Sequence, residues 1–197
     1  MRRNILFKTV IVAALFMLTG CDLAQMLQSA YNLKNCEYKY HSISNLKLSN
    51  TSLSGAPSAL EAIQLLAALN GLSSSLPLDF TLNLDVHNPH ETTAGFSALD
   101  YIIAIDNIEF TNGSLNQAFS VGSGDTQVLP IRIGVDIVKL ANEHSKDAVI
   151  KIVKNFIGIG DSSTNVSVKL KPSFNMGSKI VQSPVYLPVD FSFGGKK

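Results

Sequence analysis

The stretch Leu78-Asp79-Phe80-Thr81-Leu82-Asn83-Leu84-Asp85-Val86 decides the fold class of this chain. On an extended backbone successive side chains point to opposite faces, so Leu78, Phe80, Leu82, Leu84 and Val86 share one side while Asp79, Thr81, Asn83 and Asp85 share the other. One oily and one wet face is the pattern of a strand in an antiparallel sheet packed on a core. Working outward, further strands are predicted at Ser42 to Leu53, Ala98 to Asp106, Ile108 to Phe110, Gln117 to Val121, Gln127 to Val138, Asn165 to Pro172 and Pro184 to Phe193. Asp106-Asn107 and Asn112-Gly113 read as tight connections, since asparagine and glycine tolerate the positive φ of hairpin turns. Many short strands with regular turn signals predict a mainly β protein, a sandwich or a barrel.

Two helices interrupt the alternation. Ser58-Ala59-Leu60-Glu61 forms a capping box opening a helix over 58–70, with Gly71 as its stop. Leu60, Ile63, Leu65, Leu66, Ala67 and Leu69 leave little polar face, so this helix has to cover something, such as an open end of the sheets or a groove between them. A second helix is predicted over 145–157, with Val149, Ile152, Val153 and Phe156 on one stripe and Lys146, Asp147, Lys151 and Lys154 on the other. Its lysines read as a solvated face, with contact to anionic lipid as the rarer alternative.

The N-terminus has the three-part organisation of an export signal. Arg2, Arg3 and Lys8 precede an uncharged run from Thr9, and small residues lead to Leu18-Thr19-Gly20-Cys21. The run is short of the roughly 20 apolar residues that a spanning helix needs. It resembles the leader of a bacterial lipoprotein, which implies cleavage between Gly20 and Cys21 and acylation of Cys21. Several acyl chains together hold a protein stably, at ~0.8 kcal/mol per buried methylene. The expected organisation is a removed signal peptide over 1–20, a lipidated tether or membrane-proximal helix over 21–35, and a single domain over 36–197. Inner and outer membrane both stay open as its destination.

Losing residues 1–20 removes Arg2, Arg3 and Lys8 from 16 basic residues against 15 acidic ones, moving the formal balance from +1 to −2. That leaves no basic face to displace counterions from phosphates, so a nucleic-acid partner is not expected. A composition 46% hydrophobic and 16% charged favours a packed core over a disordered protectant. With Cys21 occupied by lipid, Cys36 has no partner within the chain. It alternates onto the side of Tyr38 and Tyr40, which predicts a buried, inert thiol.

A family resemblance enters after the first alternating strand. Val86-His87-Asn88-Pro89 is followed by Phe96, by Leu99-Asp100-Tyr101-Ile102-Ile103-Ala104-Ile105, by Asn112-Gly113 and by Leu129-Pro130-Ile131-Arg132-Ile133-Gly134-Val135. This resembles the late embryogenesis abundant type 2 family and its water-stress and hypersensitive-response domain, over roughly Leu76 to Asp136 and more weakly to Phe193. The resemblance implies an immunoglobulin- or fibronectin-like antiparallel β-sandwich, here with two inserted or appended helices, and Asn88, Pro89, Gly113 and Pro130 as structural motif positions. It also implies a non-enzymatic protein linked to stress tolerance. His90-Glu91-Thr92-Thr93 departs from the family pattern.

Catalytic and metal chemistry find little to stand on. Asp85, His87, His90 and Glu91 crowd metal-ligand types together, but a turn separates the pairs and no second cluster supplies remaining ligands, so they read as exposed turn residues. Gly122-Ser123-Gly124 and Gly158-Ile159-Gly160 lack the lysine and following helix of a phosphate cradle and read as turns. No Gly-x-Ser-x-Gly elbow occurs, and nothing sets a base beside a nucleophile. The expectation is an envelope protein with no catalytic residue, metal or cofactor. Its partners are a membrane through its acyl chains and, beyond that, envelope proteins or lipid. The alternative is a carrier in which the helix over 58–70 lids a groove for a hydrophobic ligand.

Overall fold

The computed structural model describes residues 20–49, 51–52, 75–156, 160–176 and 179–194. The helix expected over 58–70 and the leader up to Thr19 lie outside them. Among the described residues α1 (Gly20–Lys34) comes first, followed by β1 (Glu37–Leu48), β2 (Thr51–Ser52), β3 (Pro77–His87), β4 (Ala94–Phe96), β5 (Ala98–Ile105), β6 (Ile108–Leu115), β7 (Phe119–Val121) and β8 (Thr126–Asp136). Two helices follow, α2 (Ile137–Glu143) and α3 (Lys146–Phe156), then β9 (Ser163–Met176), β10 (Lys179–Gln182) and β11 (Leu187–Gly194).

All described strand pairs are antiparallel, in two main sheets. The first runs β2-β1-β3-β8; the second runs β10-β9-β5-β6, with β11 also on β9; β4 and β7 form a small third sheet. β3 lies at the centre of the first sheet and buries Leu78, Phe80, Leu82, Leu84 and Val86, the residues that the alternation assigns to the core. Leu99, Tyr101, Ile103 and Ile105 of β5 do the same in the second. The inner faces form one hydrophobic cluster, so the molecule is a β-sandwich with appended helices. Contacts between the sheets lock both flanks. The Tyr40 ring of β1 stacks on Phe191 of β11 at 5.0 Å, and Tyr101 of β5 donates its hydroxyl hydrogen to the Arg132 carbonyl of β8 at 2.8 Å.

Three local readings need correction. Asn112-Gly113 is no turn but lies within β6, with Gly113 paired to Tyr101. A Cβ on Gly113 would sit 2.5 Å from the Tyr101 hydroxyl oxygen, so the missing side chain gives the tyrosine ring its place. The tight connection is Asp106-Asn107 alone, at φ 47° and 67°. The strand predicted to Val138 ends at Asp136. There the carboxylate accepts from the Val138 and Lys139 amides at 2.9 and 3.2 Å and starts α2. Finally β11 begins at Leu187, not Pro184.

At the end of the sandwich near Pro77 and Asp136, α3 buries Val149, Ile152, Val153 and Phe156, the expected stripe. Phe156 tilts against Phe80 at 4.9 Å and lies parallel to Phe110 at 6.0 Å. α1 belongs to the opposite end, where β3 finishes at His87 opposite Thr126.

Candidate functional site

Cys21, the expected lipid attachment point, and Gly20 before it form the first turn of α1. The second half of that helix is docked. Leu33 is buried in the core, and the Asn32 side chain is fully buried and donates from Nδ2 to the Thr92 carbonyl at 3.0 Å and to Thr92 Oγ1 at 2.7 Å. Gln28 Nε2 holds Asn32 Oδ1 at 3.0 Å, so both ends of that amide are used. The Tyr38 hydroxyl donates to the Leu33 carbonyl at 2.7 Å, satisfying one of the acceptors that a helix C-terminus leaves over. Burial, with Cys36 adding to it, pushes that hydroxyl well above its ordinary pKa. Cys36 is a free, buried thiol pushed up to about 11 by burial, in accord with the inert reading.

Asn88 is the other half of the socket. It is fully buried, and its Nδ2 donates to the carbonyls of Thr92 at 2.9 Å, Gly122 at 3.0 Å and Val121 at 3.2 Å, while Oδ1 accepts from the His90 amide at 3.2 Å. Three acceptors on one side and a donor on the other fix the amide's orientation. Its backbone is paired as well, the amide to Asp125 and the carbonyl to Gly124. The Thr92 carbonyl thus receives both Asn32 and Asn88, and a single oxygen joins α1 to the loop after β3. Pro89, exposed, has no N–H to continue the ladder, which explains why β3 ends at His87. Pro130 is exposed on β8, an outer strand of its sheet, where a missing donor is tolerated. Asn88 and Pro89 thus shape the end of β3, while Pro130 sits where its missing donor costs little.

The metal-ligand types do not converge. Asp85 faces His41 across β1 and β3 at 3.0 Å, His87 Nδ1 meets Thr126 Oγ1 at 3.1 Å, and His90 lies 6.3 Å from the Tyr31 ring centre. Among the described residues no three His, Cys, Asp or Glu side chains gather in a metal-binding group. A polar groove of about 500 Å³ runs between β6, β8 and α2. Two of its three carboxylates are engaged. Glu109 accepts from Asn112 at 3.0 Å, and Asp136 serves as the helix cap while also accepting from Ser75 Oγ and the Leu76 amide. Those hydrogen bonds, the Ser75 one foremost, hold the Asp136 carboxyl below its usual range. The inter-sheet space beside α3 is filled by Phe80, Phe110 and Phe156, while the helix expected to lid a ligand groove lies outside the described residues. Of the socket, Asn88 stood out in the sequence as a strand terminator; Asn32 and Thr92 carried no signal, because a polar residue buried by a distant partner reads like any exposed one.

No family model matches this chain, and no curated protein matches it. Its fold is similar to those of several solved structures. One is a protein from Archaeoglobus fulgidus, 12% identical over 81% of this chain and 99% of that one, with a TM-score of 0.37. A second, from Arabidopsis thaliana, is 11% identical over 82% of this chain and 81% of that one, with a TM-score of 0.44. A third is provisionally assigned to the late embryogenesis abundant proteins and is 13% identical over 98% of this chain and 89% of that one, with a TM-score of 0.38.

Proposed function

We propose that this protein is a lipid-anchored, non-enzymatic module of the bacterial cell envelope, similar to late embryogenesis abundant type 2 domains, that protects or contacts other envelope components under stress. The observation that carries the reading is the docked helix. A chain acylated at Cys21 needs a connection to its body, and α1 provides a folded one, seated through Leu33, Asn32 and Thr92. A helix rises about 1.5 Å per residue, which puts Ala30 about 14 Å from the attachment point. The body is thereby kept at the bilayer rather than on a long leash. In support of a contact role, Asp136 serves as a helix cap and Asp85, His41 and His87 serve cross-strand pairs, as structural groups do.

Flotation with vesicles tests the anchor. Protein matured in a bacterial envelope should float and should carry acyl chains on its N-terminal cysteine by mass spectrometry, whereas Cys21→Ser should stay in the aqueous fraction. Equal flotation of both would overturn the anchor. Crosslinked envelopes then separate contact from carriage, since stoichiometric co-purifying lipid in the body would favour a carrier.

A further inference from the structure

Beyond its pairing with β11, β9 runs on into a hairpin with β10, whose four residues are all exposed. Ile180 is 70% and Val181 43% exposed. The turn that follows is held by its own serine, with Ser183 Oγ donating to the Val185 carbonyl at 2.8 Å and the Ser183 amide tied to Pro172 at 2.8 Å. It presents Val185 and Tyr186 to solvent, 51% and 42% exposed. Tyr31, on the docked half of α1, is 62% exposed. Among the described residues these are all the exposed large apolar side chains except Val128. Val181 and Val185 line a shallow apolar hollow of about 220 Å³ together with Ala30, Phe174 and Leu187, and Tyr31, Ile180 and Tyr186 are the chain neighbours of its lining residues. An exposed cluster of this kind, rimmed by polar groups, marks a binding surface.

Its place and its rim indicate what it binds. The hollow shares Ala30 and Lys34 with α1, so it lies at the end of the sandwich from which the helix leaves toward Cys21. Lysines border it. Lys34 lines the hollow, Lys179 opens β10, and Lys171 Nζ stands 5.3 Å from the centre of the Tyr186 ring. Asp100, the carboxylate that meets the hairpin, is occupied by Gln182 Nε2 and Ser114 Oγ. Aliphatic tips with a tyrosine and a lysine border suit the boundary between headgroups and acyl chains, where amphipathic rings and long cationic side chains are favoured. Five side chains of roughly 200 Å² each, about half exposed, offer on the order of 500 Å². That is less than the ~800 Å² per partner of a stable protein interface.

We propose that this end of the sandwich is a membrane footprint, with Tyr31, Ile180, Val181, Val185 and Tyr186 entering the interfacial layer of the bilayer that holds Cys21, so that the body rests in one fixed orientation. The footprint rests on the lipid-anchor reading. The chain contains no tryptophan, so single tryptophans report without background. Lipidated full-length protein carrying Val185→Trp, Tyr186→Trp or, on α3 at the far end, Lys151→Trp is reconstituted in phosphatidylethanolamine and phosphatidylglycerol vesicles with brominated acyl chains. The expected result is at least a twofold loss of emission for Val185→Trp and Tyr186→Trp relative to unbrominated vesicles, with Lys151→Trp unchanged. Flotation without selective quenching would overturn the footprint and leave the anchor standing. Failure to float would remove the anchor and the footprint with it. A patch tryptophan shielded from acrylamide but not quenched by bromine would assign the surface to a protein, a second copy included, and overturn the footprint equally.

Discussion

Removing the Asn88 side chain should cost more stability than its size suggests. Asn88→Ala deletes two N–H hydrogens shared among three carbonyls and the acceptor of the His90 amide. The Thr92 carbonyl keeps Asn32 and the Gly122 carbonyl keeps the Asp125 amide, but the Val121 carbonyl and the His90 amide lose this partner. At about 1 to 1.5 kcal/mol for each polar group left without its bond, the loss is about 2 to 3 kcal/mol, a large share of the ~5–15 kcal/mol that holds a domain together. For a chain of this size that corresponds to a fall in Tm of roughly 8 °C. Asn88→Asp keeps the shape but points oxygen at oxygen. Its carboxylate would face three carbonyls in a buried site, so the folded-state pKa rises above the unfolded value of about 3.9. A raised carboxyl pKa destabilises fully above the folded value, and that penalty disappears as pH falls below the unfolded one. At pH 7 the aspartate variant should therefore be less stable than the alanine variant, and at pH 4 the order should close or reverse. Urea unfolding followed by circular dichroism in a Cys21→Ser background measures both. An alanine variant within about 1 kcal/mol of its parent, or an aspartate variant with no pH-dependent difference from alanine, would refute the hub. Faster amide exchange over residues 28–33 in both variants is also expected, since Thr92 links Asn88 to α1.

The Tyr101 and Gly113 pair yields a ranked expectation. Tyr101→Phe should lose about 1 kcal/mol with the Arg132 hydrogen bond. Gly113→Ala, which displaces the ring itself, should lose about 2 kcal/mol net of the strand's preference for alanine, and thermal unfolding that ranks them the other way contradicts the packing. With its thiol near 11, Cys36 is ionised to about one part in a thousand at pH 8, so iodoacetamide should label the native protein at least ~10²-fold more slowly than a free thiol. Complete labelling within minutes without denaturant would disprove the burial. Asp136→Ala should cost about 1 kcal/mol through its lost cap, and Asp136→Asn much less. Because the native carboxyl is depressed, its charge-dependent contribution is present above the unfolded pKa and lost as pH falls through the lower folded value. The difference in Tm between parent and Asp136→Asn should therefore shrink on acidification, and a difference that widens would reverse the assignment.

The β3 pattern was readable because burial on one face and water on the other imprint a period of two on neighbouring residues, and β5 and α3 were readable in the same way. Short pieces were not. β4, with Gly95 close against the Phe119 carbonyl, and β10, with four exposed residues, are too short to show a period. Gly113 misled because glycine signals a turn by its own flexibility, whereas here it answers to a ring on the neighbouring strand. The same holds for α1. Leu23, Met26, Leu27 and Ala30 suggested a helix, but only Leu33, Asn32 and their distant partner Thr92 show that it is part of the body. Asn88-Pro89 was recognisable as a strand ending, yet the socket depends on backbone groups in two other loops, and backbone groups leave no mark in a sequence.

The pairing order of the sheets bears on timing. Leu78 joins Val135 and Ala98 joins Ser173, so neither sheet closes until most of the chain has been made. Sandwiches dominated by such distant pairings fold in milliseconds to seconds, far behind helical bundles of similar stability. For a polypeptide that crosses a membrane through a narrow channel, as the export reading requires, this slowness is useful. A chain exported in this way would stay threadable throughout its passage and gain its final shape only after the last strands arrive on the far side.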